Sequence, residues 1–153
     1  MGTVFNELHH VCIVVNDVGK SVAYYESIGI GPWIDYPPLD NIDRELQMPD
    51  LEGFFETQFK FAQLANVQLL LCQPGTGNTP QRNFLNSHGE GVFHLAFQTP
   101  DCDAAEGVAK AAGLVPLMRG RRSDGSGFTY FDSAAETGVV LEIRSDAKAA
   151  TQT

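Results

Sequence analysis

Cysteine is scarce in this chain. It has three in 153 residues, at positions 12, 72 and 102, and no two form a CxxC pair. Cys12 and Cys72 sit inside apolar, strand-like runs, so the expectation is buried free thiols in a reducing cytoplasm. Basic residues are also few: 10 Lys and Arg against 19 Asp and Glu, a formal net charge of -9. That balance argues against nucleic acid as a partner and against an anionic membrane surface. No apolar run approaches the ~20 residues that a membrane span needs. The first residues, Met1-Gly-Thr-Val-Phe-Asn-Glu7, lack the basic and apolar regions of a signal peptide. What remains is an ordinary globular composition, 43% hydrophobic and 19% charged. At this length a single domain, residues 1–153, with a real core is expected.

An internal repeat carries most of the information. His10-Val-Cys-Ile-Val-Val-Asn-Asp17 leads into a helical run ending at Gly29. His94-Leu-Ala-Phe-Gln-Thr-Pro-Asp101 leads into another ending at Gly113. Positions 10, 17 and 29 correspond to 94, 101 and 113, a constant separation of 84. A repeat of this kind predicts two copies of one unit. A histidine at one position in both copies suggests a shared site.

Residues 8–15 read as a strand rich in β-branched residues. Asp17 reads as a helix N-cap, and Val18, Val22 and Tyr25 have helical spacing. A short strand is expected near 33–36. Residues 37–53, with several breakers, read as a long loop. Strands over 57–64 and 67–72 around Ala65-Asn66 suggest a hairpin. A turn-rich stretch over 74–80 and a short helix over 81–87 join the copies. The second copy is expected as strand 92–99, helix 101–112, a strand near 115–121, and a hairpin of 128–131 with 139–144. The fold class is therefore α+β, two paired β-α-β-β-β modules. Module one takes 8–74, the linker 75–90, module two 91–145 and the tail 146–153. A ferredoxin-like sandwich is the second choice.

The copies align further. Val67-Gln-Leu-Leu-Leu71 matches Val139-Val-Leu-Glu-Ile143, which sets Leu70 opposite Glu142. The interval is 60 positions from His10 to Leu70 and 48 from His94 to Glu142. Extra residues in the 37–55 loop account for the difference. Four equivalent positions result: His10, Leu70, His94 and Glu142. Three hold metal-binding side chains. A carboxylate amid Val139-Val-Leu-Glu142-Ile is costly to bury without a partner. Two imidazoles and a carboxylate suit Zn, Ni, Co, Mn or Fe(II), and the pattern of two His and one carboxylate is that of non-haem iron. His9 points to the other face of its strand and reads as structural.

These residues carry a resemblance. Leu8-His-His-Val-Cys-Ile-Val-Val15, His88-Gly-Glu-Gly-Val-Phe-His-Leu-Ala-Phe97, Gly138-Val-Val-Leu-Glu-Ile143 and Gln73-Pro74 are similar to the vicinal oxygen chelate superfamily, and within it to the methylmalonyl-CoA epimerase-like branch. The superfamily also includes glyoxalase I, bleomycin- and fosfomycin-resistance proteins and extradiol dioxygenases. The resemblance covers about residues 8 to 145. It implies a half-open barrel around one divalent metal, with His10, His94 and Glu142 as ligands. It implies a homodimer and a small-molecule substrate. The family's fourth ligand, usually Glu or Gln, falls at Leu70. Gln68, two residues earlier on the same face, is the nearest substitute.

Leucine cannot accept a proton, whereas abstraction beside a carbonyl needs a base in reach. Glu142, Tyr130 and His88 are the candidates. With the first hairpin paired around Ala65-Asn66, Thr57, Phe59, Phe61, Gln63 and Gln68 share the face of Leu70 and form an apolar wall for substrate. Arg119, Arg121 and Arg122 are candidates to meet a carboxylate or the phosphates of coenzyme A. Three functions follow: an isomerase, epimerase or lyase that stabilises an enolate; an extradiol-type Fe(II) dioxygenase, which does not need the fourth ligand; and a binding protein without catalysis.

Overall fold

A computed structural model describes residues 4–37 and 45–148. The described residues form nine strands and five helices. They divide into two compact units, one holding His9–Pro37 with Met48–Leu95 and the other holding the remaining described residues. Both are mixed α+β. The expected tail beyond residue 148, and residues 38–44 of the expected loop, lie outside the described residues.

The first unit contains β1 (Leu8–Val14) from His9 on, α1 (Val18–Ser27), β2 (Ile34–Asp35), α2 (Leu51–Phe55), β4 (Gln58–Gln63), β5 (Gln68–Gln73), α3 (Pro80–His88) and the start of β6 (Gly91–Gln98). Its strands run in the order β2-β4-β5-β1. The β4–β5 hairpin is antiparallel and turns where Ala65-Asn66 predicted it, whereas β1 joins β5 in parallel. Helix α1 starts because the Asp17 carboxylate accepts from the Lys20 N–H at 3.1 Å. Its apolar stripe, Val18, Val22 and Tyr25, packs with Trp33 on Ile13, Val15 and Leu71. That stripe covers one face of the sheet and leaves the other face, the one carrying His10, to the site.

The second unit contains β3 (Glu45–Gln47), the end of β6 (Gly91–Gln98), α4 (Cys102–Ala111), β7 (Pro116–Arg121), β8 (Gly127–Phe131), α5 (Ala134–Thr137) and β9 (Val140–Ser145). Its strand order is β6-β9-β8-β7-β3. The division between the units falls inside β6, after Leu95. Asp101 caps α4 as Asp17 caps α1, with the same backbone angles, φ -143° and ψ 103°. Cys102, Ala105 and Ala109 of α4 pack on Phe131 and Ile143, both fully buried. Burial of side chains of that size is worth about 1.5–3 kcal/mol each.

Each copy thus folds as β-α-β-β-β with one strand order, and β2 is an edge strand in the first unit and β3 an edge strand in the second. The stretch expected as loop differs from that expectation. Residues 45–47 form β3, which pairs antiparallel with β7. A segment that belongs to the first copy in sequence therefore extends the sheet of the second. Residues 51–55 form α2, capped by Asp50, whose carboxylate accepts from the Gly53 N–H.

Candidate metal and substrate site

In the first unit, His10 and His94 are buried, at 2% and 0% exposure. Their Nε2 atoms lie 2.9 Å apart. Two nitrogens bound at about 2.1 Å to neighbouring corners of an octahedral ion sit about 3.0 Å apart. The spacing is that of an N–H···N hydrogen bond between the two rings, and it also fits two ligands of one metal; imidazole suits Zn, Ni, Co, Mn and Fe(II) alike. His9 Nδ1 lies 2.7 Å from His10 Nδ1. With the His10 proton on Nδ1, His9 accepts it and leaves His10 Nε2 as the lone-pair nitrogen. Strand alternation alone sets His9 apart from the site and misses this contact. The adjacent His-His pair is the signal in the sequence that could have found it.

Strand register fixes what surrounds His10. It is the Cα partner of Gln68, and Cys12 is the partner of Leu70. Across the hairpin, Leu70 partners Phe61 and Gln68 partners Gln63. Partner positions share a face, so His10, Gln68, Leu70, Phe59 and Phe61 lie on one side of this sheet. Leu70 is 3% exposed. The Gln68 side chain is buried, and its Oε1 has no hydrogen-bond partner among the described residues. Its Nε2 faces Gln63 Oε1 at 3.4 Å. His88, at the end of α3, stacks on Phe84 at 4.6 Å between ring centroids.

In the second unit, Glu142 is 5% exposed and is the Cα partner of Tyr130, itself buried. The two share a face, with Val140 on the same side. Arg144 is on that side too and donates to Gln98 Oε1 at 2.7 Å. Arg119 and Arg121 pair with Thr129 and Gly127, so they point to the opposite face, under α4. There Arg121 is fully buried and donates to Asp103, Thr129 and the carbonyls of Gly120 and Phe128. Arg119 donates to both carboxylate oxygens of Glu106 and is paired with Glu45 of β3. The structure does not bring either arginine to Glu142. Period-two alternation separates them, which their position on an expected strand could have revealed. Arg122, beyond the strand, reaches Ser126 Oγ at 3.3 Å.

The two copies agree at hydrogen-bond level. In the first unit the Val15 N–H donates to Cys72 O at 2.9 Å, and in the second the Thr99 N–H donates to Arg144 O at 2.8 Å. Val15 and Thr99 are repeat equivalents, so Cys72 and Arg144 are as well, and Leu70 is the structural counterpart of Glu142.

A family model, described as the Glyoxalase/Bleomycin resistance protein/Dioxygenase superfamily, matches residues 9–131. No curated protein sequence matches the chain. In fold the chain is similar to methylmalonyl-CoA epimerase from Mycobacterium tuberculosis, with a TM-score of 0.70 at 20% identity, covering 97% of this chain and 93% of that one. It is also similar to a variant of the Streptomyces coelicolor epimerase in complex with 2-nitronate-propionyl-CoA, with a TM-score of 0.72 at 22% identity, covering 94% and 99%. A hypothetical protein from Bacillus halodurans has a TM-score of 0.66 at 18% identity, covering 95% and 98%.

Proposed function

The chain belongs to the Glyoxalase/Bleomycin resistance protein/Dioxygenase superfamily, and from that premise we propose that it is a metal-dependent enzyme, an isomerase, epimerase or lyase acting on a small carbonyl or acyl-CoA substrate. His10, His94 and Glu142 hold one divalent ion in this reading. The observation that carries it is the 2.9 Å spacing of the two buried Nε2 atoms. All three side chains are buried, which suits ligands and is costly for a carboxylate without a cation. When bound, such an ion supplies Lewis-acid charge that stabilises an enolate.

The protein's own groups do the rest. His9 holds His10 in one tautomer through the Nδ1 contact. Leu70, at the repeat-equivalent corner, can neither take nor give a proton. Proton transfer falls to Glu142 and Tyr130, partners across two strands. Glu142 takes the proton from carbon at a carboxylate oxygen, and Tyr130 returns one from its phenol. The apolar side chains around Leu70 keep water from the carbanion. Arg119 and Arg121 have structural roles under α4. The working form in this reading is a cytoplasmic homodimer, which light scattering tests.

One observation favours a second reading. Leu70 is buried beside aromatic side chains, and two histidines with one glutamate suffice for an Fe(II) ring-cleaving dioxygenase. Two assays separate the readings. Deuterium incorporation at the α-carbon in D2O, across methylmalonyl-CoA and small hydroxyketones, supports the isomerase. Oxygen uptake with catechols after Fe(II) loading, without such exchange, replaces it with the dioxygenase. Silence in both leaves a binding protein.

A further inference from the structure

The two copies differ sharply at one pair of equivalent positions. In the first unit Val14 and Cys72 are register partners, and both are fully buried. Their counterparts in the second unit are Gln98 and Arg144. Arg144 lies on the face of Glu142, two residues further along β9, a rise of about 7 Å. Arg119 and Arg121 turn to the other face. An apolar pair meets the needs of the fold at this place, so a guanidinium here answers to something other than folding.

Arg144 and Gln98 already grip a carboxylate. One terminal nitrogen of Arg144 donates to Gln98 Oε1 at 2.7 Å, which ties the two side chains together. The same nitrogen lies 3.0 Å from Asp146 Oδ1, and Gln98 Nε2 donates to Asp146 Oδ2 at 3.3 Å. Each oxygen of one carboxylate thus meets its own donor. The Arg144 side chain is 13% exposed and that of Asp146 is 71% exposed. An ion pair whose anion stands in water contributes little and exchanges readily. The donors are held in place and the acceptor is not.

We infer that Arg144 and Gln98 form a carboxylate subsite for the ligand, and that Asp146 is its resident occupant, displaced when the ligand binds. The ligand's carboxylate takes over both contacts, and Asp146 swings into solvent. The charge-assisted contact supplies affinity, and the pair of donors sets the orientation of the group. The inference deepens the proposed function: the substrate carries a carboxylate remote from the oxygens that meet the metal. It rests on that function only for placing the ligand's other end on the ion that Glu142 helps to hold.

Calorimetry on the full chain loaded with Mn(II) tests it with matched 2-oxo acids: 2-oxoglutarate against 2-oxopentanoate, and 2-oxoadipate against 2-oxohexanoate. Within each pair the chelating end is the same, and only the remote carboxylate differs. At least one dicarboxylate is expected to bind about tenfold more tightly than its partner. Arg144→Gln is expected to remove that gain, and Gln98→Leu to shrink it. Asp146→Ala should raise the affinity of that dicarboxylate about threefold and leave its partner unchanged. A purely structural ion pair predicts no such rise. Equal binding within both pairs overturns the inference, as does a gain that survives Arg144→Gln or is not raised by Asp146→Ala. Failure of the metal reading looks different: the wild-type chain binds no Mn(II). Glutarate and pentanediamide then go to the metal-free Asp146→Ala protein, with the Arg144 Nε–H and Gln98 amide signals followed by NMR. Shifts with glutarate alone support the inference, and equal shifts with both, or none with either, overturn it.

Discussion

Arg121→Met removes the most deeply buried charge in the second unit. The Arg121 side chain has no exposed surface. Its Nε donates to Asp103 Oδ1 at 2.8 Å, and one terminal nitrogen donates to Gly120 O at 2.9 Å and Phe128 O at 2.6 Å. The other donates to Thr129 Oγ1 at 3.0 Å and lies 3.4 Å from Glu106 Oε1. Thr129 passes its own proton to Glu106 at 2.7 Å, so the cation anchors a chain of buried groups between α4, β7 and β8. Methionine fills most of the volume, which keeps any cavity cost small. Glu106 keeps Arg119 and Thr129 as donors, and Asp103 is half exposed, so the loss is dominated by the buried carbonyls of Gly120 and Phe128, about 1–3 kcal/mol. Urea unfolding reads it: with a slope of about 2 kcal/mol/M, the midpoint falls by roughly 1 M. A loss under about 1 kcal/mol refutes the network as described. The same folded variant should bind metal and ligand as the wild type does, because Arg121 points away from Glu142. A clear drop in metal affinity would contradict that placement.

Further predictions concern the loops of the same unit. The Asp124 carboxyl is pulled down to about 2, first by the Ser126 hydroxyl, then by the Ser126 and Lys148 N–H groups. Its folded value lies below the ordinary 3.8, so its contribution is complete above that pH and is lost as pH falls through about 2. An NMR titration of the carboxyl carbon checks this, and a midpoint near the ordinary value contradicts it. Gly127 has φ +151°, and an added Cβ would press into the carbonyl of Gly120. Gly127→Ala should cost about 3 kcal/mol. A thermal midpoint unchanged to within a degree or two would show that β7 and β8 are less closely apposed.

The repeat makes the fold legible. A constant separation of 84 places both strands, both Asp caps and both histidines from sequence alone, because period-two and helical patterns agree in the two copies. Leu70 is legible as the counterpart of Glu142 for the same reason, and the matching hydrogen bonds at Cys72 and Arg144 give the same pairing. Strand β3 is not legible. It is three residues long, lies among breakers and is defined by its partner, with Glu45 paired to Arg119 of a distant strand. Charge alone misjudges the arginines. Their alternation with Met118 and Gly120 turns them under α4, where Glu106 and Asp103 meet them. The His9–His10 contact depends on ring rotation, which no spacing encodes.

Metal content tests the central claim most directly. The purified chain, loaded with Zn, Mn or Fe(II) and dialysed, should retain one ion per chain by elemental analysis. His94→Ala, with a fold unchanged by circular dichroism, should retain none above background. Equal metal in the two proteins would contradict the assignment of His10, His94 and Glu142.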